Sequence, residues 1–187
     1  MAAVGDGDVI DTSDTEGGGA EVTAEMRINA LLALPGGGQS LLTVATAESL
    51  TGGNVSARIT AISGSSGYFL GGIVAYSSPA KVSLLGVSEE TLSTRGAVSA
   101  ECAREMAEGA RRAFGADVAV ATTGIAGPGG ATERKPVGLV YIALAGPDAV
   151  TTEEFHFPGG RNVVTDASTE AALLMLLRGL ERRLGKE

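Results

Sequence analysis

Apolar positions along the chain recur with two different periods. In Val22–Leu34 they fall at Met26, Ile28, Leu31 and Leu32, which is helical spacing, and Pro35-Gly36-Gly37-Gly38 ends the run. Leu41–Ala47 is a short apolar stretch of strand type. Gly53–Ile62 reads as a helix. Tyr68–Tyr76 reads as a strand in which Gly71-Gly72 marks a weak point or bulge. Pro79–Leu85 predicts a short helix with proline near its first turn. Ser88 is placed to cap a short helix that Gly96 ends, and Ser99 to cap a longer one, Ala100–Phe114, closed by Gly115. Strands follow at 117–122, 138–145 and 151–157. A last helix runs from about Asn162 to Leu184, with Leu173, Leu176, Leu177, Leu180 and Leu184 on one face as a core stripe. Helices interleaved with apolar strands predict an α/β layered domain with one central sheet. No internal repeat and no second domain is visible.

Composition refines this picture. The chain has 187 residues, 44% of them hydrophobic but only 4% aromatic and none tryptophan, so the core must be built from Val, Leu, Ile and Ala. There is no run of eighteen apolar residues and no secretory pattern at the N-terminus, so neither a membrane span nor export is expected. A single cysteine, Cys102, excludes an intrachain disulfide framework and fits a reducing, cytoplasmic location. Charge is uneven. Of 22 acidic side chains, seven lie in residues 1–26 (Asp6, Asp8, Asp11, Asp14, Glu16, Glu21, Glu25), where there is no Lys or Arg. The other 15 face 14 basic groups, so the body is close to neutral. Residues 1–21 are therefore expected to be a disordered acidic tail on a domain spanning 22–187. Without a basic stripe, nucleic acid is not an expected partner.

Candidate chemistry gathers at strand ends. Seventeen residues separate the strand-like runs Asp117–Ala121 and Leu139–Ala145, far more than a hairpin needs. Within them, Thr122-Thr123-Gly124-Ile125-Ala126-Gly127-Pro128-Gly129-Gly130 offers a backbone with few side chains, suited to cradle an anion with its N–H groups. The one histidine, His156, sits in the strand alternation Phe155-His156-Phe157, where it reads as a polar-face residue. One His and one Cys cannot make a zinc site. Cys102 falls in a helix and reads as a small buried hydrophobe. A carboxylate-bound magnesium site stays open, although no acidic cluster marks one. Glu48, Ser49 and Thr51 lie where a strand ends and a helix begins, at the sheet edge where α/β proteins bind ligands. Ser49 and Thr51 are equally readable as plain N-caps. As a nucleophile, Ser49 would need a base other than histidine, and a buried lysine can serve. Of the three lysines, Lys81 follows a strand end in Ala75-Tyr76-Ser77-Ser78-Pro79-Ala80-Lys81.

Six blocks in order then carry a resemblance: Ala47-Glu48-Ser49-x-Thr51-Gly52-Gly53; Gly72-x-Val74-x-Tyr76-Ser77-x-x-Ala80-Lys81; Gly96-Ala97-Val98-Ser99; Gly124-Ile125-Ala126-Gly127-Pro128; Lys135-Pro136-Val137-Gly138; and Phe157-x-Gly159-x-Arg161. From about residue 23 to 184 the chain resembles the CinA C-terminal domain family, which includes stand-alone nicotinamide-nucleotide amidohydrolases. The resemblance implies a single three-layer α/β/α domain with one central mixed sheet, a homodimer, and no metal or cofactor. It implies hydrolysis of the carboxamide of nicotinamide mononucleotide to the acid and ammonia. On that basis Ser49 is expected to attack and Lys81 to take its proton. Thr51 and the N–H groups of Gly52 and Gly53 would hold the oxyanion. Tyr76 would orient Lys81 or stack on the pyridine. Gly124, Ile125, Ala126, Gly127 and Arg161 would hold the phosphate, and Glu48 would bind the ribose or support the site.

The chain departs from the family's usual pattern at Leu50 (commonly Cys), Ser78 (Asn), Gly129 (Asp), Ala131 (Gly), Gly160 (Asp) and Thr165 (Arg). Those changes bear on phosphate affinity and substrate choice more than on the chemistry. Two other classes of function remain open: a nucleotide-binding module without turnover, linked to competence or DNA repair, and an amidase for another small amide.

Overall fold

The computed structural model describes residues 22–33, 40 and 42–186. The expected disordered tail and the Pro35–Gly38 helix stop lie outside these described residues. Each apolar run adopts the element its period predicts. The order is α1 (Ala24–Leu32), β1 (Val44–Glu48), α2 (Asn54–Thr60), a 3-10 turn (Ser65–Gly67), β2 (Phe69–Val74), α3 (Ser78–Leu85), α4 (Glu89–Thr94), α5 (Ala100–Phe114), β3 (Val118–Gly124), β4 (Leu139–Ala145), β5 (Val150–His156) and α6 (Arg161–Arg183).

The strands form one mixed sheet in the order β2-β1-β3-β4-β5. β1 runs parallel to both β2 and β3, while β3–β4 and β4–β5 are antiparallel. Alternation along the central strands splits the core into two layers. Val44, Val118, Val120, Val140, Ile142 and Leu144 point to one face, where they meet Ile28, Val55, Ile59 and the leucines of α6. Ala45, Ala47, Ala119, Ala121, Ala143 and Ala145 point to the other, against Cys102, Ala103, Met106, Ala107 and Ala110 of α5. Large side chains thus fill the α1/α2/α6 side, and an alanine face lets α5 lie close on the opposite side. The fold is a three-layer α/β/α domain with the sheet between.

Capping follows simple side-chain chemistry. Ser77, Ser88 and Ser99 each accept a hydrogen bond from a backbone N–H three residues on, opening α3, α4 and α5. Gly115 closes α5 in the left-handed conformation, as the sequence predicts. Gly109 has a different purpose. A Cβ there would lie 1.9 Å from the Leu85 carbonyl oxygen, so the last turn of α3 rests directly on α5. The weak point in β2 is a register slip, in which Val44 faces Phe69 but Ala45 faces Gly71.

Several details differ from expectation. β3 continues through Thr123 and Gly124, because β4 supplies Tyr141 and Val140 as partners there. β2 stops at Val74, which leaves Ala75 and Tyr76 outside the ladder. The turn at Ser65–Gly67 has no apolar period to announce it. Among the described residues, no helix is long and apolar enough to cross a membrane.

Candidate active site

Parallel strands β1 and β2 end side by side, and β3 ends next to β1. Their C-terminal ends carry Ser49, then Ala75-Tyr76, then Gly124-Ile125. Above them opens a cleft of about 260 Å³, walled by Ser49, Leu50, Tyr76, Ser78 and Lys81 on one side and by the 124–130 loop and Arg161 on the other. Ala97, Val98 and Thr123 complete it.

Ser49 and Lys81, 32 positions apart in sequence, meet in this cleft. Lys81 Nζ lies 2.9 Å from Ser49 Oγ and donates to the Ala75 carbonyl at 2.6 Å. Lys81 is only 2% exposed. Burial pushes its pKa below the ordinary lysine value, and the neighbouring Cys102 pulls weakly the other way. Cys102 gives little counter-charge, because burial raises its own thiol to about 11 and keeps it neutral. Burial thus weakens the ammonium form, and the Lys81 nitrogen stands within hydrogen-bond distance of a serine hydroxyl. That arrangement can activate an oxygen nucleophile without histidine. His156 itself is exposed on β5 and bonded to Glu154, away from the cleft wall.

The β1–α2 turn corrects several expectations. Glu48 is 1% exposed and does not line the cleft. Its carboxylate accepts from Thr51 Oγ1, from the N–H groups of Gly53, Val55 and Ser56, and from Ser56 Oγ, so no oxygen is left for a ribose. Thr51 donates to Glu48 and pairs with Thr122 Oγ1, while Gly52 N–H donates to the Ser49 carbonyl and Gly53 N–H to Glu48. Thr51, Gly52 and Gly53 thus belong to the turn's internal bonding, not to an oxyanion pocket. The Leu50 N–H, beside the nucleophile, donates to no acceptor among the described residues.

Opposite lies the glycine loop. Ile125 is held at both ends of its peptide, donating to the Leu139 carbonyl and accepting from Gly138. Beyond it, the amides of Ala126, Gly127, Gly129 and Gly130 donate to no acceptor among the described residues. Gly127 has φ +81°, and a Cβ there would sit 2.8 Å from Val137, so the close fold-back of this loop requires glycine. Arg161, at the start of α6, reaches across to the Gly127 carbonyl at 3.1 Å and donates to the Tyr76 hydroxyl at 2.6 Å. Tyr76 is 59% exposed and pairs with Arg161, not with Lys81, which corrects its expected orienting role. The result is a cation and several open N–H groups on the wall facing the Ser49–Lys81 pair. This is a complementary surface for an anion.

Two structural supports are not singled out by the sequence reading. Thr123 Oγ1 donates to the Ala97 carbonyl at 2.6 Å, tying the end of β3 to the segment before α5. Lys135 donates to the carbonyls of Arg95 and Val98, each at 2.6 Å, and so fastens the long loop to the same segment. Both residues lie in blocks quoted from the sequence, Thr123 before the glycine loop and Lys135 in Lys135-Pro136-Val137-Gly138, but nothing local shows that their partners are in the 95–98 segment. Among the described residues no group of three or more His, Cys, Asp or Glu side chains is placed to hold a metal ion.

Comparison with known proteins bears on this site. The sequence pattern of the CinA C-terminal domain matches residues 37–180. A putative competence-damage inducible protein of Halothermothrix orenii is 50% identical over 141 residues, covering 75% of this chain and 34% of that protein. The chain thus spans about a third of the length of such relatives. Among solved structures, the competence/damage inducible protein CihA from Agrobacterium tumefaciens is 45% identical, with a TM-score of 0.72 over 75% of this chain and 86% of that one. A CinA superfamily protein from Klebsiella pneumoniae 700603 is 32% identical, with a TM-score of 0.78 over 85% of this chain and 96% of that one.

Proposed function

The chain belongs to the CinA C-terminal domain family, and from that premise we propose that its cleft hydrolyses the carboxamide of nicotinamide mononucleotide. One observation carries the reading: a buried lysine of lowered pKa lies 2.9 Å from a serine hydroxyl at the floor of a cleft whose far wall suits a phosphate.

In this mechanism Ser49 Oγ attacks the carboxamide carbon as its proton passes to neutral Lys81. The tetrahedral oxyanion is met by the Leu50 N–H, the amide beside the nucleophile that has no acceptor among the described residues, whereas those of Ser49, Gly52 and Gly53 already have partners. Lys81, now an ammonium, protonates the leaving nitrogen, the C–N bond breaks, and ammonia departs from an acyl-serine. Water then attacks the acyl carbon and gives a proton to Lys81, which passes it to Ser49 Oγ as the acyl C–O bond breaks; the freed acid loses its proton to solvent and leaves as the carboxylate. Arg161 and the amides of the 126–130 loop hold the 5′-phosphate. A guanidinium suits a phosphate because its fork donates two parallel hydrogen bonds. Tyr76, exposed at the rim, offers its ring face to the pyridine.

A homodimer belongs to the same reading. It is supported by exposed apolar side chains on the free edge of β2 and on α3, namely Leu70, Val74 and Leu84 at 40%, 47% and 53% exposure. Light scattering on the full chain decides it.

The test is ammonia release from nicotinamide mononucleotide, with and without chelator. Ser49→Ala and Lys81→Ala are each expected to lose about 10²–10⁴-fold in turnover, the range that positioned acid–base groups contribute. Folded protein that binds the nucleotide but releases no ammonia would instead indicate a binding module. Release from another small amide alone would move the substrate and keep the chemistry.

A further inference from the structure

We propose that Glu48 is the positioning residue of this site: its buried carboxylate locks the turn that fixes Ser49 and the Leu50 N–H against the reacting carbonyl. The proposal rests on reading the cleft as a serine–lysine hydrolase.

Glu48 is the last residue of β1 and is pinned on both sides, facing Val74 of β2 and Thr122 of β3. Its carbonyl accepts from Ala75 N–H at 2.8 Å, and the next amide, of Ser49, donates to Thr122 at 3.1 Å. The backbone entering the nucleophile therefore belongs to the rigid sheet. The backbone leaving it does not. Ser49 to Gly53 is a turn, and α2 opens at Gly53, a left-handed glycine with no side chain to cap the helix. The cap comes from Glu48 instead, five residues upstream. One carboxylate oxygen accepts from Thr51 Oγ1 at 2.7 Å, Gly53 N at 2.9 Å and Val55 N at 3.1 Å. The other accepts from Ser56 N at 2.9 Å and Ser56 Oγ at 2.7 Å.

A carboxylate buried to 1% exposure is costly unless hydrogen bonds replace its water. Among the described residues no Lys or Arg pairs with it. All five donors come from the segment that follows the nucleophile, so the carboxylate closes a ring around Ser49-Leu50. An ordinary serine or aspartate at the N-cap would stabilise α2 as well. Placing the acceptor on the residue before the nucleophile adds something else: it ties the nucleophile's position to the sheet and to α2 together. A 2.9 Å contact between Ser49 and Lys81 depends on that placement, because Lys81 stands on a separate helix.

The experiment compares Glu48→Gln and Ser56→Ala with wild type and with Ile59→Val, all in the full chain. Ile59 is fully buried on α2 but does not touch the carboxylate, so its variant reports on helix stability alone. Two readouts are taken per folded molecule: turnover of nicotinamide mononucleotide, and the rate at which a fluorophosphonate labels Ser49. Glu48→Gln keeps the shape but turns an N–H₂ toward donors. It is expected to lower kcat on the order of 100-fold, the size of an ångström-scale misplacement, with KM within about twofold because the phosphate wall is untouched. Labelling should slow in parallel, while the pH midpoint of activity stays where Lys81 sets it. Ser56→Ala, which removes one donor, should fall between, and it decides the matter if Glu48→Gln does not fold. Wild-type kcat and labelling in both variants would overturn the proposal, as would an equal loss in Ile59→Val. If wild type labels at Ser49 but hydrolyses no amide, the substrate reading fails and the labelling ratios still judge Glu48. If Ser49 does not label at all, both fall.

Discussion

Lys81 is nearly buried, and among the described residues it has no carboxylate partner, only Ser49 and a carbonyl. Its depressed pKa has two consequences with definite sign. Holding the ammonium in the fold costs stability at every pH below the folded pKa, and that cost fades as pH rises towards the ordinary 10.5. In the proposed mechanism activity follows the amine form. A plot of kcat/KM against pH should therefore rise to a plateau with a midpoint below 10.5, and Lys81→Ala should lack that limb. A midpoint at or above 10.5 would remove Lys81 as the base. Tyr68 offers a contrasting case. Its ring is fully buried, its hydroxyl has no partner among the described residues, and burial pushes its pKa up to about 12. Removing an unsatisfied buried hydroxyl relieves a desolvation penalty, so Tyr68→Phe should gain about 1 kcal/mol in urea unfolding, with turnover unchanged. A loss of stability would mean that the hydroxyl has a partner after all.

At the scale of elements, two helices set the catalytic geometry from opposite sides of the sheet. α2 holds the Ser49 turn through Glu48, and α3 delivers Lys81. The position of α3 is fixed in turn by Gly109 of α5, whose missing Cβ leaves room for the Leu85 carbonyl. In Gly109→Ala the added methyl would stand 1.9 Å from that oxygen, and backbone cannot yield as a flexible side chain does. The helices must separate, at a cost of about 1–3 kcal/mol in stability. Because α3 moves with its lysine, kcat per folded molecule should drop as well, and chemical unfolding with parallel kinetics reads both. A stable variant with full activity would show that α3 is positioned by other contacts. This dependence was not legible in the sequence, where Gly109 reads only as an unfavourable residue inside a helix.

Across the whole molecule, the wall proposed to take a phosphate is assembled from parts distant in the chain, Gly127 after β3 and Arg161 at the start of α6, and Arg161 also bonds Tyr76 after β2. Arg161→Ala should raise KM for the nucleotide about 10–100-fold, as expected for losing one charge-assisted fork, with kcat little changed. KM for the unphosphorylated riboside should not move. Equal losses for both would place Arg161 in support of the rim rather than on the phosphate. The sequence by itself determined the elements, because helical and strand periods, serine caps and closing glycines act over a few residues. It also brought Ser49 and Lys81 to notice through scarcity and strand-end placement, and Arg161 through the family resemblance. What only the tertiary structure decided was which polar groups remain available. Glu48, the Thr51 hydroxyl, and the amides of Gly52 and Gly53 look like ligands in sequence, yet each is taken by a neighbour, while the plain amides of Leu50, Ala126, Gly127, Gly129 and Gly130 have no acceptor among the described residues. Hydrogen-bond saturation depends on partners up to 71 positions away, as in the Thr51–Thr122 pair, and no local pattern encodes it. The lowered pKa of Lys81 has the same origin, since burial is a property of the packed layers and not of the residue.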